Sequence, residues 1–207
     1  MGGVYTLGLQ TLTRVTFLSD KLAEASAHGR FQPFHNGHLE YVLAAKERCD
    51  FLWIGITKYE TTPTGLSPLG LPRDHPQNNP LTYFERIQII AAALEENGVP
   101  RSQFGFVPFP IETPENLHLF LPISVTCFTT VCEQWNEKKI EVLEAAGYQV
   151  EVLWRREPKT VSGSVIRKMI LEGDPRWQEM VPKATAQAVE SLNLAEKLKG
   201  LHDSHHP

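Results

Sequence analysis

A strand–loop–helix unit near the start of the chain constrains the fold most strongly. Residues 23–28 are small and compatible with a buried strand, and the loop 29–36 follows them directly. A helix is predicted from about residue 37 to residue 48, because apolar side chains recur on one face at helical spacing. Such a unit is the first half of a parallel strand–helix–strand arrangement. In open sheets of this kind, ligands bind where the first strand ends.

Strands and helices alternate along the rest of the chain. Strands are predicted at residues 51–57, 104–107, 124–129 and 149–153. Helices are predicted from Thr82 to about Gly98 and at residues 133–146, 164–171 and 182–198. Thr82 with Glu85 forms a capping-box pattern, which marks the start of a helix. The alternation predicts an α/β fold, a Rossmann-like open parallel sheet with helices on both faces.

The same pattern predicts a single domain over residues 23–200. Residues 1–22 mix glycine, threonine and β-branched side chains and form an N-terminal extension of unknown role. Residues 201–207 are predicted to be a disordered tail. The segment 58–80 contains five prolines, which exclude a helix or a central strand, so it is predicted to be a long loop with a role as a lid or in shaping a pocket.

Composition narrows the class of protein. The 207 residues carry a net charge of −4, so a general basic surface for nucleic acid is not expected and any phosphate site must be local. The three cysteines form no CxxC pair, which favours free thiols in a reducing compartment over a disulfide framework or a zinc site. No apolar run approaches the ~18 residues that span a membrane, and no secretory signal is evident. A cytoplasmic location without membrane contact is therefore expected.

The ten-residue loop GRFQPFHNGH, which starts at Gly29, carries groups suited to an anion. Gly29 and Gly37 allow a ligand to approach the main chain closely. The helix that begins near Gly37 offers free N–H groups and a partial positive charge. His35 and His38 are three residues apart, so both can face the same point, and Arg30 adds a guanidinium suited to phosphate oxygens.

Two other roles for the histidine pair remain open at this point. Histidines at this spacing can ligate a metal, although no third or fourth ligand is obvious in the neighbouring sequence. They can also be ordinary structural histidines. Neither alternative uses the surrounding glycines and arginine.

A second segment, Ser162–Arg167 (SGSVIR), also follows a strand and opens a helix. Ser162 and Ser164 are of the residue type that caps helices, and one of them is expected to cap this helix. A capping serine can also bind phosphate. Arg167 lies one turn into the helix, where it can reach an anion at the same helix end.

In combination, the two segments resemble the nucleotidyltransferase superfamily, which is marked by an HxGH loop and a late (S/T)-x-(S/T)-x-x-R segment. Within it the chain is most similar to the archaeal-type nicotinamide-nucleotide adenylyltransferases. Four further segments carry this resemblance: GRFQP at residue 29, NPLT at residue 79 with the following Glu-Arg pair, GYQV at residue 147 and WQEMVP at residue 177. It covers about residues 28–192.

The resemblance implies in-line attack by an acceptor phosphate oxygen on the α-phosphorus of a nucleoside triphosphate, ATP or CTP, with release of pyrophosphate. It implies catalytic roles for His35, His38 and Arg167. It also implies Mg²⁺ held mainly by substrate phosphates and water, with no protein ligand to the metal, and possible homo-oligomers. The nucleotide- and phosphate-binding residues that it implies are Gly29, Arg30, Phe31, Gln32, Gly37, Ser162, Ser164 and Arg167.

The departures from the family concern the acceptor. The resembled enzymes place a Thr-Gly-Asn turn after the fourth strand and a tryptophan in mid-chain. Here the turn is Thr129-Thr130-Val131, residues 114–120 contain no tryptophan, and the loop 58–80 is long. His118, Phe120 and Arg86 are the candidate acceptor-binding residues.

Three functions follow as hypotheses. The first, which the resemblance favours, is adenylyl transfer from ATP to nicotinamide mononucleotide, which produces NAD. The second is adenylyl or cytidylyl transfer to another small phosphorylated or phosphonate acceptor. The third belongs to a different class, a catalytically silent protein that binds or senses a nucleotide.

Overall fold

The computed structural model describes residues 21–60, 76–156 and 161–203. Its centre is a parallel sheet of five strands, in the spatial order β3-β2-β1-β4-β5. The strands are β1 Leu22–Gly29, β2 Cys49–Ile56, β3 Phe104–Pro108, β4 Thr126–Val131 and β5 Val150–Arg155. The predicted α/β class and open parallel sheet are confirmed.

Helices cover both faces of this sheet, as predicted. They are α1 Asn36–Glu47, α2 Tyr83–Glu96, α3 Trp135–Ala145, α4 Gly163–Glu172, α5 Lys183–Ser191 and α6 Leu194–Asp203. Short 3-10 helices occur at Pro76–Asn78, Arg101–Gln103, Pro114–Leu119 and Pro175–Met180.

Alternation along the strands assigns side chains to two separate cores. Ala25 and Ala27 of β1 face the larger core, which also contains the buried residues of α1, α2 and α4. Ser26 and His28 alternate with them and therefore face the opposite side of the sheet. On that side, the smaller core packs Leu143 of α3 against the residues that follow β3.

Several helix ends lie where their local signals predict them. Thr82 and Glu85 form the expected capping box at the start of α2. Gly98, Gly147 and Gly173 follow α2, α3 and α4 with φ angles of 81°, 92° and 70°, a backbone conformation that side chains with a Cβ rarely adopt.

The end of the chain differs from the prediction. Residues 182–198 do not form one helix, because α5 ends at Ser191 and α6 starts at Leu194. Asn193 between them has a φ of 48°, which a continuous helix does not allow. Helix α6 continues to Asp203, three residues into the predicted tail. Residues 1–20, most of the proline-rich loop (61–75) and residues 204–207 lie outside the described residues.

The topology fixes the place of the site. The chain order reverses between β1 and β4, which are neighbours in the sheet although β2 and β3 lie between them in sequence. A crevice forms outside the carboxyl ends of strands at such a switch point. Helix α1 begins seven residues after β1 ends, and α4 follows β5, so the N-termini of both helices reach this crevice.

Candidate active site

The crevice at the switch point is a cleft of about 670 Å³. Its wall contains the carboxyl end of β1 and the N-terminal ends of α1, α3 and α4. The cleft brings together the predicted nucleotide-binding and catalytic residues: Gly29, Arg30, Phe31, Gln32, His35, Gly37, His38, Ser162, Ser164 and Arg167.

The two histidines of the HxGH loop cap α1 for each other. The main-chain N–H of His38 donates to Nδ1 of His35 (3.2 Å), and the N–H of His35 donates to Nδ1 of His38 (3.4 Å). Their rings stack with centroids 3.6 Å apart. A ring nitrogen that accepts a hydrogen bond carries no proton, so this geometry assigns the proton of each neutral ring to Nε2. The pair thus supplies two oriented N–H donors.

Aromatic packing holds His38 in this position. Phe31 is buried and its ring meets that of His38 edge-on at 5.0 Å. Phe31 has a φ of 54°, a strained conformation for a residue with a Cβ, and such strain is concentrated at functional sites. A Cβ at position 29 would lie 2.9 Å from the Phe31 ring, which is too close. The ring therefore occupies the space that a side chain at position 29 would need.

The second segment caps α4, as predicted. The Ser162 hydroxyl accepts a hydrogen bond from the main-chain N–H of Val165, and it lies 3.0 Å from the hydroxyl of Ser164. Both hydroxyl groups line the cleft beside the positive end of the α4 dipole. This arrangement suits the oxygens of an anionic ligand.

Arg167 ties the two segments together. Its guanidinium donates from Nη1 to the carbonyl oxygen of Gln32 and from Nη2 to Oδ1 of Asn78, both at 2.7 Å. Gln32 in turn pairs its side-chain amide with the main chain of Leu81 through bonds of 2.7 and 3.0 Å. Arg167 is buried, which lowers its pKa to about 10, and the charge of Arg30 adds to this shift.

The candidate acceptor residues are not brought into the cleft. Arg86 is buried and donates to four main-chain carbonyl groups, those of Thr82, Arg30, Thr57 and Lys58. These bonds hold the main chain that follows β1 and β2, and the Arg86 guanidinium does not line the cleft.

His118 and Phe120 also lie away from the cleft wall. His118 is exposed on the 3-10 helix Pro114–Leu119, and the ring of Phe120 packs near that of Tyr59. Acceptor binding by these residues stays a prediction.

Comparison with known proteins agrees with this geometry. Residues 26–169 match the model of the cytidylyltransferase-like family. The chain is 41% identical to a phosphonoformate cytidylyltransferase of Streptomyces viridochromogenes over 83% of its own length and 93% of that protein. It is 31% identical to a nicotinamide-nucleotide adenylyltransferase of Ignicoccus hospitalis over 84% of its own length and 94% of that protein. This chain belongs to the cytidylyltransferase-like family.

Solved structures confirm the fold of this family member. A bifunctional NMN adenylyltransferase/ADP ribose pyrophosphatase from Francisella tularensis superposes with a TM-score of 0.60 and 16% identity. The match covers 87% of this chain and 52% of the longer one, so the chain spans about half of that structure. With the family match, the predicted nucleotidyltransferase class is confirmed.

The cleft of this cytidylyltransferase-like protein also contains residues that the sequence did not indicate. Trp135 and Lys139 reach it from α3, Trp154 from β5, and His28 from the end of β1. The mid-chain tryptophan of the resembled adenylyltransferases is missing from residues 114–120, yet two indole rings line the cleft from other elements. His28 directly precedes Gly29, the first residue of the GRFQPFHNGH loop, and this position is the one signal that could have identified it.

The described residues contain no group of three or more His, Cys, Asp and Glu side chains arranged for a metal. In the same part of the chain, no helix combines the length and apolar character that crossing a membrane requires.

Proposed function

We propose that this nucleotidyltransferase transfers a cytidylyl group from CTP to a small acceptor that carries a phosphonate or phosphate. The observation that carries nucleotidyl transfer is the convergence of the His35–His38 pair and the Ser162–Ser164 pair on one cleft between two helix N-termini. The choice of CTP rests on the 41% identity to the phosphonoformate cytidylyltransferase across nearly all of that relative.

The reaction needs no covalent intermediate on the protein. An oxygen of the acceptor attacks the α-phosphorus in line with the departing pyrophosphate. The new phosphorus–oxygen bond forms while the bond to the bridging oxygen breaks, and pyrophosphate leaves with that electron pair. The protein contributes by orienting both substrates and by stabilising the developing negative charge.

Each segment of the cleft has a part in this scheme. The Nε2–H groups of His35 and His38 donate to oxygens around the α-phosphate. Ser162, Ser164 and the N-terminus of α4 hold the terminal phosphates. Arg30, which is half-buried near Arg167 and Glu112, adds positive charge, and desolvation lowers its pKa without removing that charge at neutral pH.

Mg²⁺ is part of the proposal as an ion bound to the triphosphate. The cleft offers hydroxyl, imidazole and guanidinium groups that suit phosphate oxygens, and its carboxylates, Glu40, Glu112 and Glu133, do not form a group of three metal ligands in the described residues. Mg²⁺ commonly keeps several waters and binds through substrate phosphates, so these residues fit an ion delivered with CTP. When bound, it neutralises part of the phosphate charge. Removal of divalent ions with EDTA is expected to abolish turnover.

Adenylyl transfer to nicotinamide mononucleotide is the second candidate. It is supported by the 31% identity to the adenylyltransferase of Ignicoccus hospitalis and by Trp135 and Trp154, whose rings offer surfaces on which an aromatic base can stack. The missing Thr-Gly-Asn turn and mid-chain tryptophan weigh against it.

A panel assay of pyrophosphate release separates these functions. ATP and CTP are each paired with phosphonoformate, methylphosphonate and nicotinamide mononucleotide. The proposal expects turnover with CTP and a phosphonate, at rates well above those with ATP. Turnover confined to ATP with nicotinamide mononucleotide supports the second candidate. Nucleotide binding without turnover in any pair indicates a silent nucleotide-binding protein. A cytoplasmic location and self-association stay predictions.

A further inference from the structure

His28 is a buried imidazole whose polar atoms are unsatisfied by the protein. It is 3% exposed, and neither Nδ1 nor Nε2 has a hydrogen-bond partner within the described part of the chain. The ring lines the cleft and stacks on Phe109, with centroids 4.2 Å apart and planes 4° from parallel. Buried polar atoms are nearly always paired, so an unpaired imidazole in a cleft wall indicates a ligand that pairs with it.

On this face of the sheet, one pair of side chains is joined between β1 and β4. Ser26 donates to Sγ of Cys127 across β1 and β4 at 3.3 Å. His28 and Thr129 each lie two residues further along these strands, and the buried hydroxyl of Thr129 also has no partner in the described residues. Two side chains with unpaired polar atoms therefore lie near the carboxyl ends of β1 and β4, the strands that flank the switch point.

The position of the His28 ring depends on a glycine in the neighbouring strand. Gly55 of β2 lies in register with His28. A Cβ at position 55 would collide with the ring of Phe109 and lie 3.0 Å from Cβ of His28. Because Gly55 has no side chain, the Phe109 ring can lie against β2. There it stacks on the imidazole of His28 and limits its orientation.

A buried ammonium group accompanies this imidazole. Lys139 of α3 is 8% exposed, lines the same cleft and lies 5.7 Å from the centroid of the Trp135 ring. Burial lowers the pKa of His28 well below its ordinary value, and the charge of Lys139 contributes to the shift. His28 is therefore neutral at physiological pH, with one N–H donor beside a positive charge. An anionic oxygen complements both groups.

This anion-binding point is separate from the reacting phosphates. Helix α1, which carries His35 and His38, packs on the face of the sheet that contains Ala25 and Ala27. His28 and α3 belong to the opposite face. The attacking oxygen of the acceptor's phosphonate or phosphate must lie near α1, where the α-phosphate is held. His28 and Lys139 can therefore contact only a different group of the same acceptor.

We propose that His28 and Lys139 form an acceptor subsite that binds a second anionic group, of the carboxylate class, on a short acceptor whose phosphonate or phosphate attacks CTP. The inference rests on the proposed function and names its substrate class. His28 donates one hydrogen bond to the carboxylate, and Lys139 supplies the countercharge. Both residues determine specificity and stay outside the bond-making step.

The test compares two phosphonates that differ in the second anion. Phosphonoformate has a carboxylate on phosphorus, whereas methylphosphonate has a methyl group there. Lys139→Met removes the charge with little change of volume, and Lys139→Arg keeps it. We expect Lys139→Met to raise the KM for phosphonoformate at least about tenfold, with Lys139→Arg in between. The KM for CTP and the kcat/KM for methylphosphonate should stay within about twofold of wild type. Equal losses with both acceptors, or a loss confined to CTP, would overturn the subsite.

His28→Leu gives a readout that a structural histidine would not produce. Removing two unpaired buried nitrogens should leave the melting temperature unchanged or raised, while the KM for phosphonoformate rises. A lower melting temperature with an unchanged KM would show that His28 is structural and contradict the proposal.

Binding measurements keep the subsite and the proposed function apart. Titration calorimetry of phosphonoformate is carried out with a non-reactive methylene analogue of CTP, on wild type and Lys139→Met. If phosphonoformate binds more weakly to Lys139→Met than to wild type, the subsite is supported. If wild type also turns over no acceptor, only the proposed cytidylyl transfer is rejected. If wild type turns over CTP with phosphonoformate but both proteins bind phosphonoformate with equal affinity, only the subsite is rejected.

Discussion

Arg167 donates a hydrogen bond of 2.7 Å to the main-chain carbonyl oxygen of Gln32, a residue 135 positions earlier in the chain. The bond joins the start of α4 to the HxGH loop. Each segment alone offers phosphate-binding groups at one helix end. The relative position of the two segments depends on this contact. The contact therefore also sets the distance between the groups proposed to hold the α-phosphate and those proposed to hold the terminal phosphates.

Replacement of Arg167 is expected to reduce stability and nucleotide affinity together. Arg167→Met leaves the Gln32 carbonyl and the Asn78 side chain without their charged donor, and the free energy of unfolding should fall by roughly 2–4 kcal/mol. Arg167→Lys keeps the charge but cannot reach both acceptors with one planar group, so an intermediate loss is expected. Urea unfolding and the KM for CTP measure the two effects. An unchanged free energy of unfolding in Arg167→Met would show that the bond contributes nothing to the fold.

Gly163 is predicted to be indispensable to the same contact. A Cβ at this position would lie 2.5 Å from the Gln32 carbonyl oxygen and 3.3 Å from Nη1 of Arg167. Gly163→Ala should therefore separate the two segments, with a lower melting temperature and a higher KM for CTP. Gly200→Ala is the matched control. Position 200 lies in α6 with open space around a Cβ, so alanine should stabilise the protein by about 0.5–1 kcal/mol. Equal effects of both substitutions would mean that the close approach to Gln32 does not matter.

Local signals made much of this fold predictable. The capping box at Thr82 and the glycines at 98, 147 and 173 act within one helical turn, so the sequence alone indicates them. The same holds for the N-cap at Ser162. The break at Asn193 escaped prediction because apolar residues continue through it at helical spacing, and only the left-handed backbone of that residue reveals two helices.

Other parts of the site depend on contacts that no local pattern encodes. Arg86 has the chemistry of a phosphate ligand, yet its donors are taken by carbonyl groups that the fold assembles around it. Lys139 and Trp135 belong to a helix whose sequence is typical of a solvated surface. They line the cleft because α3 packs beside β4 at the switch point. Sequence order cannot show which helix closes a cleft of this kind.

Cysteine reactivity should distinguish the core from the cleft. Burial raises the pKa of Cys49 and of Cys127 to about 11, so at pH 8 both are thiols with very little of the reactive thiolate. Cys132 is partly exposed and lines the cleft. Iodoacetamide at pH 8 should therefore label Cys132 first in the folded protein, and CTP should slow that labelling.

Mass spectrometry of labelled peptides measures these rates, and Cys132→Ser is the control. As pH rises towards 11, labelling of Cys49 and Cys127 should accelerate, because deprotonation of the buried thiols becomes favourable. Labelling of Cys127 ahead of Cys132 at pH 8 would contradict the burial of β4.

The capping role of His35 and its proposed catalytic role can be separated by substitution. Asparagine is a favourable N-cap residue, so His35→Asn keeps an acceptor for the His38 N–H but lacks the imidazole. His35→Ala lacks both, and its helix cap should cost about 1 kcal/mol of unfolding free energy. Turnover should fall by on the order of a hundredfold or more in both variants, and in His38→Ala, because each loses one oriented donor near the α-phosphate.

Urea unfolding and pyrophosphate release together decide this prediction. His35→Asn should match wild type in stability while it matches His35→Ala in turnover. Near-normal kcat in His35→Asn or in His38→Ala would remove the imidazole from the reaction. In that case the stacked rings of His35 and His38 would serve only to start α1, and charge stabilisation would fall to Arg30 and the two helix N-termini.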